Sequence, residues 1–292
     1  MSADESIELV ADVHAVVGEG PLWDIPRQRL VWVDIEGKRI HEFHPETATH
    51  QAAEVPQYPG AMVRRASGGF VAAVTDGFAA VDFDGSFEVI APVERDLSQN
   101  RMNDGKCDSH GRFWAGTTRM AHDAAVGSLY RLDTDLSVHR MVEEVSISNG
   151  LDWTVNDDRM YFIDSLTFRV DVFDFDAASG DLSNRRTVFD VPEEWGFPDG
   201  MTLDAEDYLW IAFWGSGAVR RFDPHGNLDR EIKLPVSQVT SCAFGGPDLR
   251  DLYITTGARG LDAEALRREP YAGGVFRAKP GVTGRPAHDF SG

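Results

Sequence analysis

Residues 208–214 read Tyr-Leu-Trp-Ile-Ala-Phe-Trp, and shortly before them residues 195–201 read Trp-Gly-Phe-Pro-Asp-Gly-Met. The first run has the length and the aromatic, β-branched content of a buried strand. The second run places the carboxylate of Asp199 between Pro198, which fixes the backbone, and Gly200, which permits unusual dihedral angles. The same combination, a polar residue beside a glycine just ahead of an apolar strand, recurs along the rest of the chain.

Similar apolar runs recur along the whole chain at intervals of roughly 38 to 49 residues, which is the period of a four-stranded propeller blade. The six runs, predicted to be the inner strand of each blade, are residues 30–34, 69–74, 112–116, 159–164, 208–212 and 251–255. An alternating run follows each of them and predicts a half-buried neighbouring strand. Only residues 261–268 suggest a helix, and a short one. The sequence therefore predicts an all-β fold, a six-bladed β-propeller with four-stranded antiparallel blades, as a single domain over residues 1–292.

Three more stretches place a polar residue beside a glycine shortly before a predicted inner strand. They read Gly-Glu-Gly-Pro-Leu-Trp at 18–23, Arg-Met-Asn-Asp-Gly-Lys at 101–106 and Ser-Ile-Ser-Asn-Gly-Leu-Asp-Trp at 146–153. Positions at one phase of every blade lie at one end of a propeller's central channel. The four loops are therefore predicted to face one another across a single small site.

The polar residues of these loops suit a metal site. Glu19, Asn149 and Asp199 offer oxygen ligands, which hard divalent cations prefer. Three protein ligands leave coordination positions open for water and substrate, and hence for polarisation of a carbonyl group. Arg101 and Asn103 could hold sugar-like hydroxyls or an anion. Each residue alone is equally well explained as an ordinary turn residue, but their common phase in the repeat favours a site.

The composition excludes several classes of partner. The chain of 292 residues has 28 Lys and Arg against 48 Asp and Glu, a formal charge of −20. This charge argues against binding to nucleic acid or an anionic membrane, and it suits an enzyme that turns a neutral substrate into an acid. No apolar run approaches the ~20 residues of a membrane span. The acidic residues 1–5 do not resemble a secretory signal, so a cytoplasmic location is expected.

Five ordered motifs resemble the senescence-marker-protein/gluconolactonase family of sugar lactonases, whose members are regucalcin-like. The motifs cover nearly the whole chain and lie at residues 18–23, 101–117, 148–153, 197–201 and 241–246. The resemblance implies a six-bladed propeller that holds one divalent ion, which could be calcium, magnesium, manganese, zinc or iron. It also implies that the substrate is a sugar-acid lactone such as gluconolactone, xylonolactone or arabinonolactone.

The resemblance further implies roles for individual residues. Glu19, Asn149 and Asp199 would hold the metal, and Asp199 would also be the base for the water that attacks the lactone carbonyl. Arg101 and Asn103 would bind the hydroxyls of the substrate.

One segment departs from the family pattern. Where regucalcin-like members carry an acidic pair after the Gly-Thr of this segment, residues 117–123 read Thr-Thr-Arg-Met-Ala-His-Asp. His122 is a candidate for a substrate contact there. A calcium-handling or sugar-binding propeller without catalysis, and a metal-dependent esterase or phosphotriesterase, remain open as alternatives. A monomer or weak homo-oligomer is expected.

Overall fold

The computed structural model describes residues 7–292, and its strands form six separate four-stranded antiparallel sheets. The sheets are the blades of a β-propeller, which confirms the predicted fold. The acidic residues 1–5 lie outside the described residues. Within residues 7–292, no helix is long and apolar enough to cross a membrane.

The blades follow one another along the chain. Blade 1 consists of β2 (Gly18–Asp24), β3 (Arg29–Asp34), β4 (Arg39–His44) and β5 (Thr49–Glu54). Blade 2 consists of β6 (Ala61–Arg64), β7 (Phe70–Val74), β8 (Gly77–Val81) and β9 (Phe87–Pro92). Blade 3 consists of β10 (Asn100–Cys107), β11 (Phe113–Arg119), β12 (Gly127–Leu132) and β13 (Val138–Val145). Blade 4 consists of β14 (Ser148–Trp153), β15 (Arg159–Asp164), β16 (Arg169–Asp176) and β17 (Asp181–Asp190). Blade 5 consists of β18 (Phe197–Leu203), β19 (Leu209–Trp214), β20 (Ala218–Phe222) and β21 (Leu228–Lys233). Blade 6 consists of β22 (Val239–Gly245), β23 (Asp251–Thr256), β24 (Val275–Ala278) and the N-terminal β1 (Glu8–Ala11).

The hydrophobic core lies between the blades rather than inside any one of them. Six clusters of buried apolar side chains fill the six gaps between neighbouring blades. The second and third strands of a blade have neighbours on both faces, so their sequences are apolar almost throughout. This is why β19, for example, reads Leu-Trp-Ile-Ala-Phe-Trp with five buried residues in six.

The strands that line the channel differ from those predicted. The first strands of successive blades contact one another in a closed ring, β2, β6, β10, β14, β18 and β22. The apolar runs predicted to be innermost are instead the second strands, from β3 to β23. The prediction was wrong at this point because burial between blades selects the most apolar sequence, whereas a strand beside a polar channel has polar residues among its apolar ones.

Both ends of the chain are held by neighbouring blades. β1 pairs antiparallel with β24 and becomes the outermost strand of blade 6. The predicted short helix is present as α1 (Ala263–Arg268), which lies between β23 and β24. The C-terminal residues return to blade 2, where Arg65 and Phe290 form a parallel bridge.

Candidate functional site

Four of the first strands carry an irregularity at the predicted site residues. The strand register shifts between Glu19 and Leu22 in β2 and between Met102 and Gly105 in β10. It shifts likewise in β14 between Ser148 and Leu151, and in β18 between Pro198 and Met201. A β-bulge re-aims a side chain locally, and bulges are common beside active sites. The polar residues predicted to lie on loops therefore lie on strands, and the glycines predicted to make turns lie at or beside bulges.

All six predicted site residues line one cavity of about 330 Å³. They are Glu19, Arg101, Asn103, His122, Asn149 and Asp199. The remaining wall is mostly apolar and includes Phe197 and Trp214, together with the polar Ser165 and Arg259. The structure thus brings together residues from blades 1, 3, 4 and 5, as the common phase of the motifs predicted.

The floor of the cavity contains two buried carboxyl groups. Burial, followed by repulsion from Asp199 and Asp104, raises the pKa of Glu19 well above its usual value. Burial, followed by repulsion from Asp104, raises the pKa of Asp199 well above its usual value, and the two carboxyl groups are close enough to share a hydrogen bond. Neither group has an ion-pair partner in the part of the chain that the structure describes. Arg101 partly offsets both pKa shifts, but no cation lies within ion-pair distance in residues 7–292, so the floor is an electron-rich site.

A chain of hydrogen bonds joins the amides of blades 3 and 4 to blade 5. Asn103 Nδ2 donates to Asn149 Oδ1 at 3.0 Å and to the Ser148 carbonyl oxygen at 2.7 Å. Asn149 Nδ2 donates to Ser165 Oγ at 2.7 Å, and Ser165 Oγ donates to the Pro198 carbonyl oxygen at 2.6 Å. These contacts fix which way the Asn149 amide faces. Its oxygen has a second lone pair, which remains for another partner.

These residues fit a divalent cation. Two buried carboxylates without ion-pair partners are stabilised by a positive charge between them, and an amide oxygen is a ligand that Ca²⁺ and Mg²⁺ accept. Across residues 7–292, no three His, Cys, Asp or Glu side chains converge as a metal-ligand set. The predicted set has only two members of those types, Glu19 and Asp199, because its third member, Asn149, is an amide.

Basic side chains form another part of the cavity lining. Arg101 is buried, and its Nη1 donates to Asn103 Oδ1 at 2.6 Å and to the Met102 carbonyl oxygen at 2.9 Å. Burial and then repulsion from Arg259 lower the pKa of Arg101 to about 10, so the guanidinium keeps its charge at neutral pH. Burial, followed by repulsion from Arg101 and Arg259, lowers the pKa of His122 to about 4. The imidazole is therefore neutral at pH 7.

A second cavity, of about 400 Å³, lies further along the same strands. β2 contributes Glu19 to the first cavity and Leu22 to the second, so the two cavities follow each other along the channel. This cavity contains an ion pair, with a contact of 2.8 Å between Lys106 Nζ and Asp152 Oδ2. None of the predicted site residues lines it. The smaller cavity is therefore the better candidate for chemistry, because it holds all six predicted site residues, and three of them, Glu19, Arg101 and Asp199, form no ion pair within residues 7–292.

Sequence reasoning missed two polar residues of the first cavity, Ser165 and Arg259. Ser165 follows β15, and Arg259 lies in the segment after β23. Ser165 has no neighbouring glycine, and Arg259, although it is next to Gly260, follows its apolar strand instead of preceding it, so the pattern that identified the other residues could not include them. The two cysteines, Cys107 and Cys242, are buried free thiols.

The chain matches known proteins over nearly its full length. Residues 17–258 match the family described as SMP-30/Gluconolactonase/LRE-like region. The chain is 40% identical to regucalcin of Xenopus laevis over 294 residues, which is 98% of each chain.

Solved structures share the fold. A calcium-binding protein, regucalcin, from Agrobacterium tumefaciens superposes with a TM-score of 0.94 at 28% identity, covering 98% of this chain and 97% of that one. A gluconolactonase from Xanthomonas campestris superposes with a TM-score of 0.77 at 23% identity, covering 95% of this chain and 90% of that one. The resemblance seen in the motifs is therefore confirmed, and the chain belongs to the SMP-30/gluconolactonase/LRE-like family.

Proposed function

We propose that the protein is a metal-dependent lactonase that opens a sugar-acid lactone to the aldonic acid. The observation that carries this proposal is the pair of buried carboxyl groups, Glu19 and Asp199, which share a cavity with Asn149 and the buried Arg101. The pair supports a cation site, and the neighbouring donors support binding of a hydroxylated substrate. The chain belongs to a family whose description names gluconolactonase, and this supports a lactone as the substrate.

The roles of the residues follow from their chemistry. Glu19, Asn149 and Asp199 would hold a divalent cation, which when bound supplies Lewis-acid polarisation of the lactone carbonyl. Asp199 takes a proton from water as the water oxygen bonds to the carbonyl carbon. The ring C–O bond then breaks, and the proton passes to the departing ring oxygen, which leaves a hydroxyl and a carboxylic acid that releases its own proton to solvent at neutral pH. Arg101 donates hydrogen bonds to the hydroxyls of the sugar, and Asn103 binds them through its Oδ1, which accepts from Arg101 and has a second lone pair for a hydroxyl donor.

A cation beside Asp199 makes it a weak base. A lactone is an activated ester, so a weak base suffices for the attack of water. The apolar wall beside Phe197 and Trp214 limits the water that can reach the reacting carbonyl.

A calcium-binding propeller without catalysis is the second candidate. It is favoured by the relative from Agrobacterium tumefaciens, which is described as a calcium-binding protein. Both candidates use the same cation site, so metal binding alone does not separate them.

Acid release measured with a pH indicator tests the lactonase. Metal-stripped protein is assayed with calcium, magnesium, manganese, zinc or ferrous iron added back, on glucono-, xylono-, arabinono- and galactonolactone, with spontaneous hydrolysis subtracted. We expect metal-restored hydrolysis of at least one lactone, and we expect Asp199→Ala to abolish it while circular dichroism shows an intact fold. Asp135→Ala, at an exposed turn residue, is the matched control and should retain activity.

Two outcomes would contradict the proposal. One is the absence of acceleration by any metal in protein that calorimetry shows to bind one, which would favour the binding protein. The other is full activity in Asp199→Ala, which would remove Asp199 from the mechanism.

A further inference from the structure

Arg101 is a buried cation without a carboxylate partner. Its side chain lines the cavity, the residue is 8% exposed, and its hydrogen bonds go to an amide oxygen and a carbonyl oxygen. In the described part of the chain it forms no ion pair. A buried charge of this kind is costly unless something else pairs with it. The missing partner is therefore expected to arrive with the ligand.

Arg259 presents a second guanidinium to the same cavity. Its backbone is fixed, because Gln238 Nε2 donates to the Arg259 carbonyl oxygen at 2.7 Å. Its side chain is 40% exposed and uses Nε to contact Glu36 at 2.8 Å. Within residues 7–292 its two terminal nitrogens make no hydrogen bond. A planar guanidinium held at Nε leaves these terminal donors for a carboxylate or phosphate.

The charges around these groups do not balance. Two guanidinium groups, Arg101 and Arg259, face three carboxyl groups, because Arg101 interacts with Glu19 and Asp199 as well as with Glu36. His122 adds none, because its imidazole is neutral, and its Nε2 is buried without a hydrogen-bond partner. A divalent cation would balance the two carboxylates of the floor. With such a cation bound, one positive charge would remain in surplus, and within residues 7–292 the terminal nitrogens of Arg259 are donors without a partner.

We infer that the cavity selects a lactone that carries an anionic group remote from its reacting carbonyl, and that Arg259 binds this group, with the charge of Arg101 beside it. The group is a carboxylate or a phosphate, both of which match the guanidinium fork. That the substrate is a lactone rests on the proposed function. That it carries a negative charge is inferred from Arg101, Arg259 and His122. Arg259 is then the residue that determines specificity.

The overall charge of −20 does not oppose this selection at close range. Repulsion by exposed charges is largely screened beyond about 8 Å at physiological ionic strength. The contacts inside the cavity are shorter and partly buried, so they are screened much less. Selection is therefore made by the cavity and not by the field of the whole protein.

Pairs of substrates that differ only in the remote group test the inference. D-glucaro-1,4-lactone has a carboxylate where D-glucono-1,4-lactone has a hydroxymethyl group, and 6-phosphoglucono-1,5-lactone is compared with glucono-1,5-lactone. We expect kcat/KM to favour the anionic member of one pair by about tenfold or more, the effect of a hydrogen-bonded charge. The pair that shows the preference identifies the group as carboxylate or phosphate.

Substitutions assign the preference to Arg259. Arg259→Gln should reduce the anionic-to-neutral ratio of kcat/KM at least fivefold, and Arg259→Lys should reduce it less. Glu36→Gln should raise the ratio, because it removes the competing carboxylate. Arg268→Gln makes the same charge change at an exposed residue of α1 outside the cavity, and it should leave the ratio unchanged.

The outcomes separate this inference from the proposed function. If neutral lactones are hydrolysed as well as or better than both anionic partners, the inference is overturned and the lactonase stands. A preference for anions that survives Arg259→Gln overturns the role of Arg259. If no lactone is hydrolysed, calorimetry with glucarate and gluconate decides. Tighter binding of glucarate that Arg259→Gln abolishes would sustain anion recognition, and equal binding of the two acids would overturn it.

Discussion

Ser165 links the candidate metal ligands of two blades. Its hydroxyl accepts from Asn149 Nδ2 at 2.7 Å and donates to the Pro198 carbonyl oxygen at 2.6 Å. Asn149 is thereby fixed with its oxygen toward Asn103, and the residue before Asp199 is tied to blade 4. Groups that orient ligands without touching the metal can change metal affinity strongly. Ser165 is therefore expected to position two of the three ligands.

Ser165→Ala should weaken cation binding with the fold intact. The substitution leaves the Asn149 amide and the Pro198 carbonyl without their buried partner, so both can move. We expect the affinity for Mn²⁺ or Ca²⁺ to fall by about 10- to 100-fold, as for other residues that orient metal ligands. Titration calorimetry on metal-stripped protein measures the change.

The matched control is Ser183→Ala, at an exposed position of β17. It should bind the cation as the unsubstituted protein does. Unchanged affinity in Ser165→Ala, with the control also unchanged, would show that Asn149 and Asp199 hold their positions without the hydroxyl.

The sequence was sufficient to find residues that belong to a repeated local pattern. Glu19, Asn149 and Asp199 each stand beside a glycine, at the same phase of the repeat, and they line one cavity. Ser165 and Arg259 enter the same cavity from segments after the second strands of blades 4 and 6. Their proximity to the site is determined by the packing of one blade against the next, which no short stretch of sequence records.

At the scale of the strand, a buried aspartate connects three strands of blade 5. Asp204 follows β18, and its Oδ2 accepts from Trp210 Nε1 of β19 at 2.9 Å and from Arg221 Nε of β20 at 2.8 Å. In blade 3, Asp108 Oδ2 likewise accepts from Trp114 Nε1 of β11 at 2.8 Å, and it accepts from Arg112 Nε, just ahead of β11, at 2.6 Å. The spacing of six residues from aspartate to tryptophan thus recurs in the repeat. It fixes the indole that fills the gap between blades.

Asp204→Ala should destabilise the protein strongly. It leaves the buried Arg221 with fewer partners and removes the acceptor of the Trp210 indole, together with the acceptor of two backbone amides in the turn. Removing one partner of a buried ion pair costs about 3–5 kcal/mol, and we expect the free energy of unfolding to fall by that amount. Urea unfolding followed by tryptophan fluorescence measures it.

Asp181→Ala is the control for this substitution, because Asp181 is exposed and its carboxylate accepts no hydrogen bond within the described residues. Its effect should lie within about 0.5 kcal/mol. An unfolding midpoint in Asp204→Ala equal to that of the control would mean that water replaces the aspartate without cost.

The strands themselves were predictable, but their order from the channel outward was not. β19 is apolar because it is covered by other blades on both faces. Its apolar sequence therefore made it the easiest strand of its repeat to recognise. β18, which lies nearest the channel, contains Pro198, Asp199 and Gly200, so its sequence is typical of a turn. The bulge in β18 reconciles these residues with a strand, and a bulge has no signature that hydrophobic periodicity detects.

At the scale of the whole molecule, the C-terminal segment holds several blades together. Gly284 bridges to Asp204 of blade 5, and Phe290 bridges to Arg65 of blade 2. The Phe290 ring is fully buried in the apolar cluster between blades 2 and 3. Asp289 accepts from Arg64 Nε and Nη2 at 2.7 and 2.6 Å. The segment therefore spans the end of the channel opposite the candidate site.

From their sequence alone, residues 287–292 could be either a frayed end or a tail that closes the propeller. These residues read Ala-His-Asp-Phe-Ser-Gly, which has neither strand alternation nor helical periodicity. The contacts that order them come from residues more than 200 positions away, such as Arg64. Long-range contacts of this kind decide in favour of the closing tail.

Removal of residues 289–292 should lower the stability of the whole propeller without impairing the chemistry of the folded protein. The deletion exposes the pocket of Phe290 and removes the two bonds from Arg64, so the loss should exceed the ~3–5 kcal/mol typical of Phe→Ala in a core. Urea unfolding of the deletion, of Phe290→Ala and of Tyr271→Ala should give midpoints that rise in that order, because Tyr271 is an exposed aromatic residue. Lactone hydrolysis by the folded fraction should persist, since residues 286–288 line the second cavity and none of residues 286–292 lines the first.

An unchanged midpoint would show that blades 2 and 3 close without the tail, and a loss of kcat at full folding would show that the tail acts on the site through the channel.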